Sequence, residues 1–177
     1  MYIGGTEPTA NGVDGLNLAC PHISRDEVVR ELFELALKNT FVVVSSPAAT
    51  GKSSLLPLMA KKYRHEKVKF LFLSFLGKES ASEKMEMVGI SVERQTCSIS
   101  ANDSDLIIFI DDAHEKYDDT GFWGLLIKTG VNFIPQKVHF IFSVTYLFSS
   151  GSLTPFDFIY LPRLDRKRLK FTSEEAK

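Results

Sequence analysis

The sequence predicts an α/β fold with three layers, built around a mostly parallel sheet of five strands. Short runs of consecutive apolar residues recur along the chain, as expected for strands that are buried on both faces. Segments with apolar residues at helical spacing separate these runs. Strands that alternate with helices in this way form parallel sheets covered by helices on both sides. The 177 residues are enough for one such domain with a buried core.

The predicted elements follow one another in a regular order. A helix is expected over residues 24–38, where Ser24 and Glu27 have the spacing of a capping box. A strand at 41–45 leads into a loop at 46–51 and then into a helix at 53–62. Pro57 predicts a kink in that helix because proline has no N–H group. Further strands are expected at 69–75, 106–110 and 138–144, with a weaker one at 156–161, and further helices within 80–88 and 120–129.

Composition also predicts a domain division. Residues 1–22 are rich in Gly, Thr, Asn and Pro and are expected to form an irregular arm, whereas residues 23–177 form the core. Near the carboxyl end, Thr172 and Glu175 have the spacing of a second capping box, which would open a helix. We therefore expect a core that is truncated before a helical lid subdomain.

Charge and cysteine content narrow the classes of function. A net charge of −1 gives no overall field that would attract nucleic acid or an anionic membrane. One local basic run is expected to be a solvated edge or an interface rather than a nucleic-acid patch; it comprises Arg163, Arg166, Lys167, Arg168 and Lys170. Cys20 and Cys97 make neither a disulfide framework nor a zinc motif. With no signal-peptide pattern and no apolar run of membrane length, the default prediction is a cytoplasmic protein.

The central motif is Ser-Pro-Ala-Ala-Thr-Gly-Lys-Ser at residues 46–53. It matches the phosphate-binding pattern G-x-x-x-x-G-K-[S/T], except that Ser46 replaces the first glycine. In such a loop, backbone N–H groups surround a phosphate, the lysine reaches the terminal phosphates, and the following hydroxyl binds Mg²⁺. Lys52 and Ser53 take these two places. The predicted nucleotide-binding residues are Ser46, Pro47, Ala48, Ala49, Thr50, Gly51, Lys52, Ser53 and Ser54.

A pair of aspartates follows the most apolar of the predicted strands. Asp111 would hold Mg²⁺ together with Ser53, as an acidic residue at the tip of a buried strand does in P-loop ATPases. Asp112 would orient the attacking water, although its side chain is one methylene shorter than the glutamate usual at this place. The alternative is that the pair simply ends a strand and enters a turn.

Several other residues are candidates with less specific signals. The strand at 138–144 is expected to lie between the strand before the phosphate loop and the acidic strand, and Thr145, or else Ser143, would approach the γ-phosphate from its tip. A structural role is equally open for that residue. The predicted catalytic set is thus Lys52, Asp112 and Thr145. His114 is expected to be a hydrogen-bonding loop residue, and the aromatic pair at 122–123 is expected in the core rather than stacked on a base.

Residues 41–55 and 106–114 resemble the AAA+/STAND branch of P-loop ATPases. The string Ile110-Asp-Asp-Ala-His, with Tyr117, Phe122 and Trp123 beyond it, is similar to the ATPase domain of Crinkler-type effector proteins. The resemblance implies ATP and Mg²⁺ as cofactors and a helical lid over the base. Without that lid, Ile23 and Arg25 are the local candidates to flank adenine. A Crinkler assignment would place the protein in a host cell.

The leading hypothesis is an Mg-ATP-binding domain that hydrolyses ATP slowly and acts as a nucleotide switch within a larger or partnered protein. An arginine that stabilises the transferring charge would come from this chain or from a partner or second subunit; the candidates in this chain are Arg94, Arg163 and Arg166. The alternative is a nucleotide-binding or interaction module without hydrolysis. A small-molecule kinase is disfavoured because the sequence contains no arginine cluster typical of a kinase lid.

Overall fold

The computed structural model describes residues 2–4, 22–100, 103–147, 158 and 160–170. Five α-helices lie in this part of the chain, and they are α1 (Asp26–Lys38), α2 (Leu55–Lys62), α3 (Ala81–Met87), α4 (Thr120–Thr129) and α5 (Arg166–Leu169). The eight strands are β1 (Tyr2–Gly4), β2 (Phe41–Ser45), β3 (Val68–Ser74), β4 (Ile90–Ser91), β5 (Thr96–Cys97), β6 (Asp105–Asp111), β7 (Val138–Val144) and β8 (Arg163–Leu164). The predicted second capping box, at Thr172 and Glu175, lies outside the described residues.

Six strands form one sheet in the order β1-β3-β6-β7-β2-β8. The five strands from β3 to β8 are parallel, and β1 adds an antiparallel edge strand beside β3. This confirms the predicted mostly parallel sheet of five strands. The predicted place of β7, between the strand before the phosphate loop and the acidic strand, is also confirmed.

Two apolar clusters, one on each face of the sheet, make the three layers. On one face α1 and α2 pack against alternate residues of the strands, such as Val42, Val44 and Phe109. On the other face α3, α4 and the 3-10 helix Ala113–Lys116 pack against the intervening residues, such as Val43 and Phe142. Successive side chains of a strand point to opposite faces, so a strand that is apolar throughout serves both clusters.

The start of α1 differs from the prediction. The helix begins at Asp26, and Arg25 rather than Ser24 is its N-cap residue, in a left-handed conformation with φ of 51° and no side-chain capping bond. The expected capping box at Ser24 and Glu27 is therefore wrong. The contacts of Arg25 with other parts of the fold, described below, accompany this backbone conformation.

Helix α2 also begins later than predicted, at Leu55 instead of residue 53. Pro57 consequently lies in the first turn, where a backbone N–H has no partner within the helix in any case. The proline is therefore accommodated by the later start of the helix, and not in the helix interior where a kink was expected. The fifth parallel strand is likewise displaced, since it is Arg163–Leu164 instead of 156–161. Phe158, within the predicted strand, is fully buried against Trp123 and Phe142.

A two-stranded antiparallel hairpin, β4 with β5, lies between α3 and β6 in the region where the sequence was least informative. Helix α3 before it carries the capping box that α1 lacks, made by Ser80 and Glu83. Within the described ranges, no helix combines the length and apolar character needed to cross a bilayer.

Candidate functional site

The loop between β2 and α2 curves through two residues with positive φ. Ala49 has φ of 61° and Gly51 has φ of 81°. A Cβ added at Gly51 would have only ordinary contact, 3.6 Å from an Arg25 nitrogen, so the backbone conformation rather than space favours glycine there. Where such residues alternate with right-handed ones, successive N–H groups turn toward one point, which is the geometry of an anion-binding nest.

Lys52 is a buried residue at the end of this loop, with 8% of its surface exposed. Its Nζ donates hydrogen bonds to the carbonyl oxygens of Ser46, at 2.6 Å, and Pro47, at 2.9 Å, so it spans the loop from its end to its beginning. Burial lowers the pKa of the Lys52 ammonium, and the nearby carboxylates of Asp111 and Asp112 oppose that shift. The loop thus places the Lys52 amino group close to two carboxyl groups.

Ser53 and Asp111 are brought together although 58 residues separate them in the sequence. The Ser53 hydroxyl donates a hydrogen bond to Oδ2 of Asp111, and the Asp112 N–H donates to Oδ1 at 3.0 Å. Asp111 is the last residue of β6 and is 4% exposed. A partly buried hydroxyl and a buried carboxylate therefore face each other beside this loop.

Asp112 occupies a different environment from its neighbour. It has a left-handed conformation, with φ of 53°, and is half-buried at the start of the 3-10 helix Ala113–Lys116. Burial raises the pKa of the Asp112 carboxyl, and the negative charge of Asp111 raises it further. A carboxylate with a raised pKa is a stronger proton acceptor than an ordinary surface aspartate.

Ser143, which the sequence left open as an alternative to Thr145, lies beside Asp111 on the neighbouring strand. Ile110 of β6 pairs with Phe142 of β7, so the following residues, Asp111 and Ser143, are neighbours across the two strands. Both point to the face that carries α2, because Ile110 and Phe142 belong to the cluster on the opposite face. Ser143 is fully buried, and its hydroxyl has no hydrogen-bond partner among the described residues.

Thr145 and Ser46 each follow the last residue of one of two paired strands, β7 and β2. Thr145 follows the last residue of β7 and is partly exposed. Ser46 donates its backbone N–H to the Val144 carbonyl at 3.2 Å, which joins the loop to the tip of β7. The Ser46 side chain is 2% exposed, and within the part of the chain described here its hydroxyl finds no partner.

The other sequence candidates lie at the margins of this site or away from it. His114 stands edge-on to the Tyr146 ring, with centroids 5.2 Å apart, and its Nε2 is 3.5 Å from a Glu115 oxygen. Phe122 and Trp123 are buried in the core, as predicted. Arg94 forms an ion pair with Glu86 beside the β4–β5 hairpin, at 3.0 Å.

The basic run ends the described chain. Arg163 lies on β8, and most of the remainder belongs to α5, whose N-terminus is capped by Asp165 through the Lys167 and Arg168 N–H groups. Arg168 pairs with Glu31 of α1 at 3.2 Å. Ile23 is 42% exposed and Arg25 is only 3% exposed. Sequence reasoning considered Arg25 only as a neighbour of adenine and missed its contact with the loop itself.

The chain has structural neighbours but no match among family models or curated proteins. No family model matches the chain, and no curated protein matches it. Among solved structures, the chain is similar to C. elegans PCH-2, with 15% identity and a TM-score of 0.48, over 80% of this chain and 42% of that one. It is also similar to the structure of Drosophila ORC bound to AT-rich DNA and Cdc6, with 10% identity and a TM-score of 0.46, over 87% of this chain and 60% of that one. The chain spans less than two thirds of either neighbour.

The class of fold follows from the chain's own topology. A parallel sheet covered by helices on both faces carries a glycine-containing loop and an acidic residue at the carboxyl ends of β2 and β6, with β7 between them. In open α/β sheets, ligands bind outside the carboxyl ends of the strands. The fold is therefore that of a P-loop NTPase-like α/β domain.

Proposed function

We propose that this chain binds Mg-ATP at the loop of residues 46–54. The observation that carries the proposal is the hydrogen bond from Ser53 to Asp111, which joins the loop to the acidic strand. The two motifs are 58 residues apart in the sequence, and a nucleotide site requires them to be adjacent in the fold. The positive φ values at Ala49 and Gly51 and the buried Lys52 support the same proposal.

The residues present fit a magnesium ion. Mg²⁺ prefers hard oxygen ligands and takes one or two from the protein, while phosphate and water supply the others. The Ser53 hydroxyl and the Asp111 carboxylate are such ligands. No cluster of three or more His, Cys, Asp or Glu side chains that would suit a metal held by protein alone exists in the described ranges. When bound with ATP, the ion would neutralise charge on the β- and γ-phosphates.

Each side chain of the site then has a distinct task. The loop N–H groups and Lys52 hold the phosphates, and Asp112 accepts a hydrogen bond from the attacking water, which its raised pKa favours. The sequence favoured Thr145 as the residue at the tip of β7 that contacts the γ-phosphate. We now propose Ser143 for this contact. Ser143 shares a face with Asp111 and has a buried hydroxyl whose hydrogen-bonding capacity is unused in the described structure.

Hydrolysis is proposed to be slow, so that the domain serves as a nucleotide switch. Asp112 is one methylene shorter than glutamate, which makes the geometry of the water less favourable. A partner or a second subunit would supply a lid or an arginine, as the AAA+ and Crinkler resemblances imply. Residues 23–177 remain the proposed core and residues 1–22 the proposed arm, but the arm is not irregular throughout, because residues 2–4 form the edge strand β1.

A second candidate is a module that binds nucleotide without hydrolysing it. The observation in its favour is Ser46, a buried residue at the place of a glycine, whose hydroxyl has no hydrogen-bond partner among the described residues. Its side chain adds bulk at the position where other phosphate loops have none.

Titration calorimetry tests the proposed binding. Mg-ATP is titrated into the parent protein, into Lys52→Ala and into Lys61→Ala, an exposed lysine of α2 that serves as the matched control. Binding is expected in the parent and in Lys61→Ala and is expected to be lost in Lys52→Ala. Thermal melts of all three proteins check that the variants are folded. Absence of binding to the folded parent at millimolar Mg-ATP would contradict the proposal.

Phosphate release then separates the two candidate functions. The switch is expected to release phosphate slowly, and Asp112→Asn and Ser143→Ala are expected to reduce the rate without abolishing binding, whereas Thr145→Ala has a smaller effect. A parent protein that binds Mg-ATP but releases no phosphate, alone or with partners, would favour the module.

A further inference from the structure

Arg25 is a buried arginine in an unusual backbone conformation. It is 3% exposed and has φ of 51° and ψ of 40°, in the left-handed region that residues other than glycine rarely adopt. It is also the N-cap of α1, although its side chain makes no capping bond. Such a conformation persists where contacts with the surrounding structure hold it.

The guanidinium of Arg25 contacts two segments that are far apart in the sequence. Nη1 lies 3.5 Å from the Thr50 carbonyl oxygen, inside the phosphate loop. Nη2 donates a hydrogen bond to the carbonyl of Leu169, the last residue of α5. An arginine is suited to this bridge because its planar group presents several N–H donors in a fixed arrangement.

Helix α5 is attached to the same region by two further contacts. Leu169 is 3% exposed and packs in the cluster that contains Val28 and Leu32 of α1. Arg168 forms its ion pair with Glu31, which lies on the same helix between Val28 and Leu32. Arg25 is therefore the residue at which the phosphate loop, the start of α1 and the end of α5 meet.

We infer that Arg25 is a positioning residue for the phosphate loop and that it makes the loop conformation depend on the docking of α5. Because its guanidinium contacts both segments, undocking of α5 removes one partner of Arg25 and loosens the contact with Thr50. An effect of Arg25 on nucleotide affinity rests on the proposed Mg-ATP binding. The coupling between the loop and α5 does not depend on that proposal.

Amide hydrogen exchange without nucleotide tests this coupling. The variants are Arg25→Asn, which keeps a residue that tolerates the left-handed conformation but removes the guanidinium, and Arg25→Lys, which keeps only the charge. Arg30→Ala, an exposed arginine of α1, is the control. In Arg25→Asn, exchange is expected to rise about tenfold in both residues 50–55 and residues 164–170, as for loss of one hydrogen bond from a charged donor. Strands β6 and β7 are expected to exchange as in the parent, and Arg25→Lys is expected to recover only part of the effect.

A thermodynamic cycle distinguishes coupling from a merely structural role. Asp165→Ala removes the cap of α5 and is expected to raise exchange in residues 50–55 when Arg25 is present. In the Arg25→Asn background, the same change is expected to have no further effect on the loop. If the loop does not respond to Asp165→Ala in the parent background, the inference is overturned, whether or not Arg25→Asn folds.

Mg-ATP titration extends the test. Affinity is expected to fall about tenfold in Arg25→Asn, in line with the loss of one hydrogen bond from a charged donor, and to be unchanged in Arg30→Ala. If the parent protein binds no Mg-ATP, the proposed function fails, while the exchange cycle still decides whether Arg25 couples the two segments. If exchange shows coupling and affinity is unchanged in Arg25→Asn, the role in positioning the loop for nucleotide is overturned.

Discussion

At the scale of single residues, the two adjacent aspartates show how position on the fold divides the tasks of identical side chains. Asp111 ends a buried strand and accepts hydrogen bonds from the Ser53 hydroxyl and the Asp112 N–H. Asp112, one residue later, has turned out of the strand and is half-buried beside the charge of Asp111. In the proposed site, the first carboxylate would bind a cation and the second would accept a proton or orient a water molecule.

The raised pKa of Asp112 predicts that its ionised form destabilises the fold. Below the usual pKa of 3.8 the carboxyl is protonated in both the folded and unfolded states. As pH rises from 3.8 through the higher pKa of the folded state, stability is lost, because the native state binds the proton more tightly. Asp112→Asn is therefore expected to raise the melting temperature at neutral pH, and the difference is expected to vanish as pH falls below 3.8.

Thermal melts from pH 3 to pH 8 check this expectation, with Asp118→Asn, an exposed carboxylate, as the control. An Asp112→Asn protein that melts at or below the temperature of the parent at neutral pH would be inconsistent with an unfavourable charge at this position. If the variant is more stable and also hydrolyses ATP more slowly, the carboxylate destabilises the fold while serving the reaction.

At the scale of helices and strands, the N-termini of α1 and α3 differ in what determines their capping. Neighbours in the sequence cap α3, whereas contacts with distant parts of the fold accompany the start of α1. The Ser80 side chain accepts from the Glu83 N–H, and the Glu83 carboxylate accepts from the Ser80 N–H, a cap closed by residues three apart. The same spacing at Ser24 and Glu27 makes no such cap, because Arg25 begins α1 in a left-handed conformation. A capping pattern in the sequence is therefore realised only where tertiary contacts leave the backbone free to adopt it.

The two serines give a matched comparison of this difference. Ser80→Ala is expected to lower the free energy of unfolding by about 1 kcal/mol, the usual effect of losing an N-cap side chain. Ser24→Ala is expected to change it by less than about 0.5 kcal/mol, as for ordinary surface substitutions. Urea denaturation of both variants measures the two values, and equal losses would show that Ser24 caps α1 after all.

At the scale of the whole molecule, the sheet is protected at its β3 edge by a strand from the amino end of the chain. β1 pairs antiparallel with β3, from Tyr2 opposite Phe72 to Gly4 opposite Phe70. An uncovered edge strand exposes unpaired N–H and C=O groups to other chains. β3 is also rich in apolar residues, so covering its edge limits association between molecules.

Removal of residues 1–4 is expected to increase association and to leave the proposed Mg-ATP binding unchanged, because the proposed site lies at the ends of β2, β6 and β7. Light scattering over a range of protein concentrations measures association, and circular dichroism checks that the shortened chain is folded. A shortened chain that stays monomeric at every concentration would show that β1 is not needed to protect this edge.

The sequence by itself determined the layers, the parallel sheet and the order of the motif-bearing strands. Those features follow from local patterns, since runs such as residues 106–110 are apolar on both faces and helical segments separate them. The phosphate-loop motif and the Asp111–Asp112 pair were also readable, because each depends on residue type at fixed spacing. The adjacency of Ser53 and Asp111 was expected from these motifs.

The tertiary structure alone decided the details that depend on neighbours distant in the sequence. Ser143 is placed beside Asp111 by the register of β6 with β7, which no local pattern encodes. Arg25 is the N-cap of α1, and its guanidinium reaches a loop residue 25 positions away and a carbonyl 144 positions away. Local periodicity fixes which segments form elements, whereas the packing of those elements fixes which side chains meet, because contacts between distant segments exist only once the chain has folded.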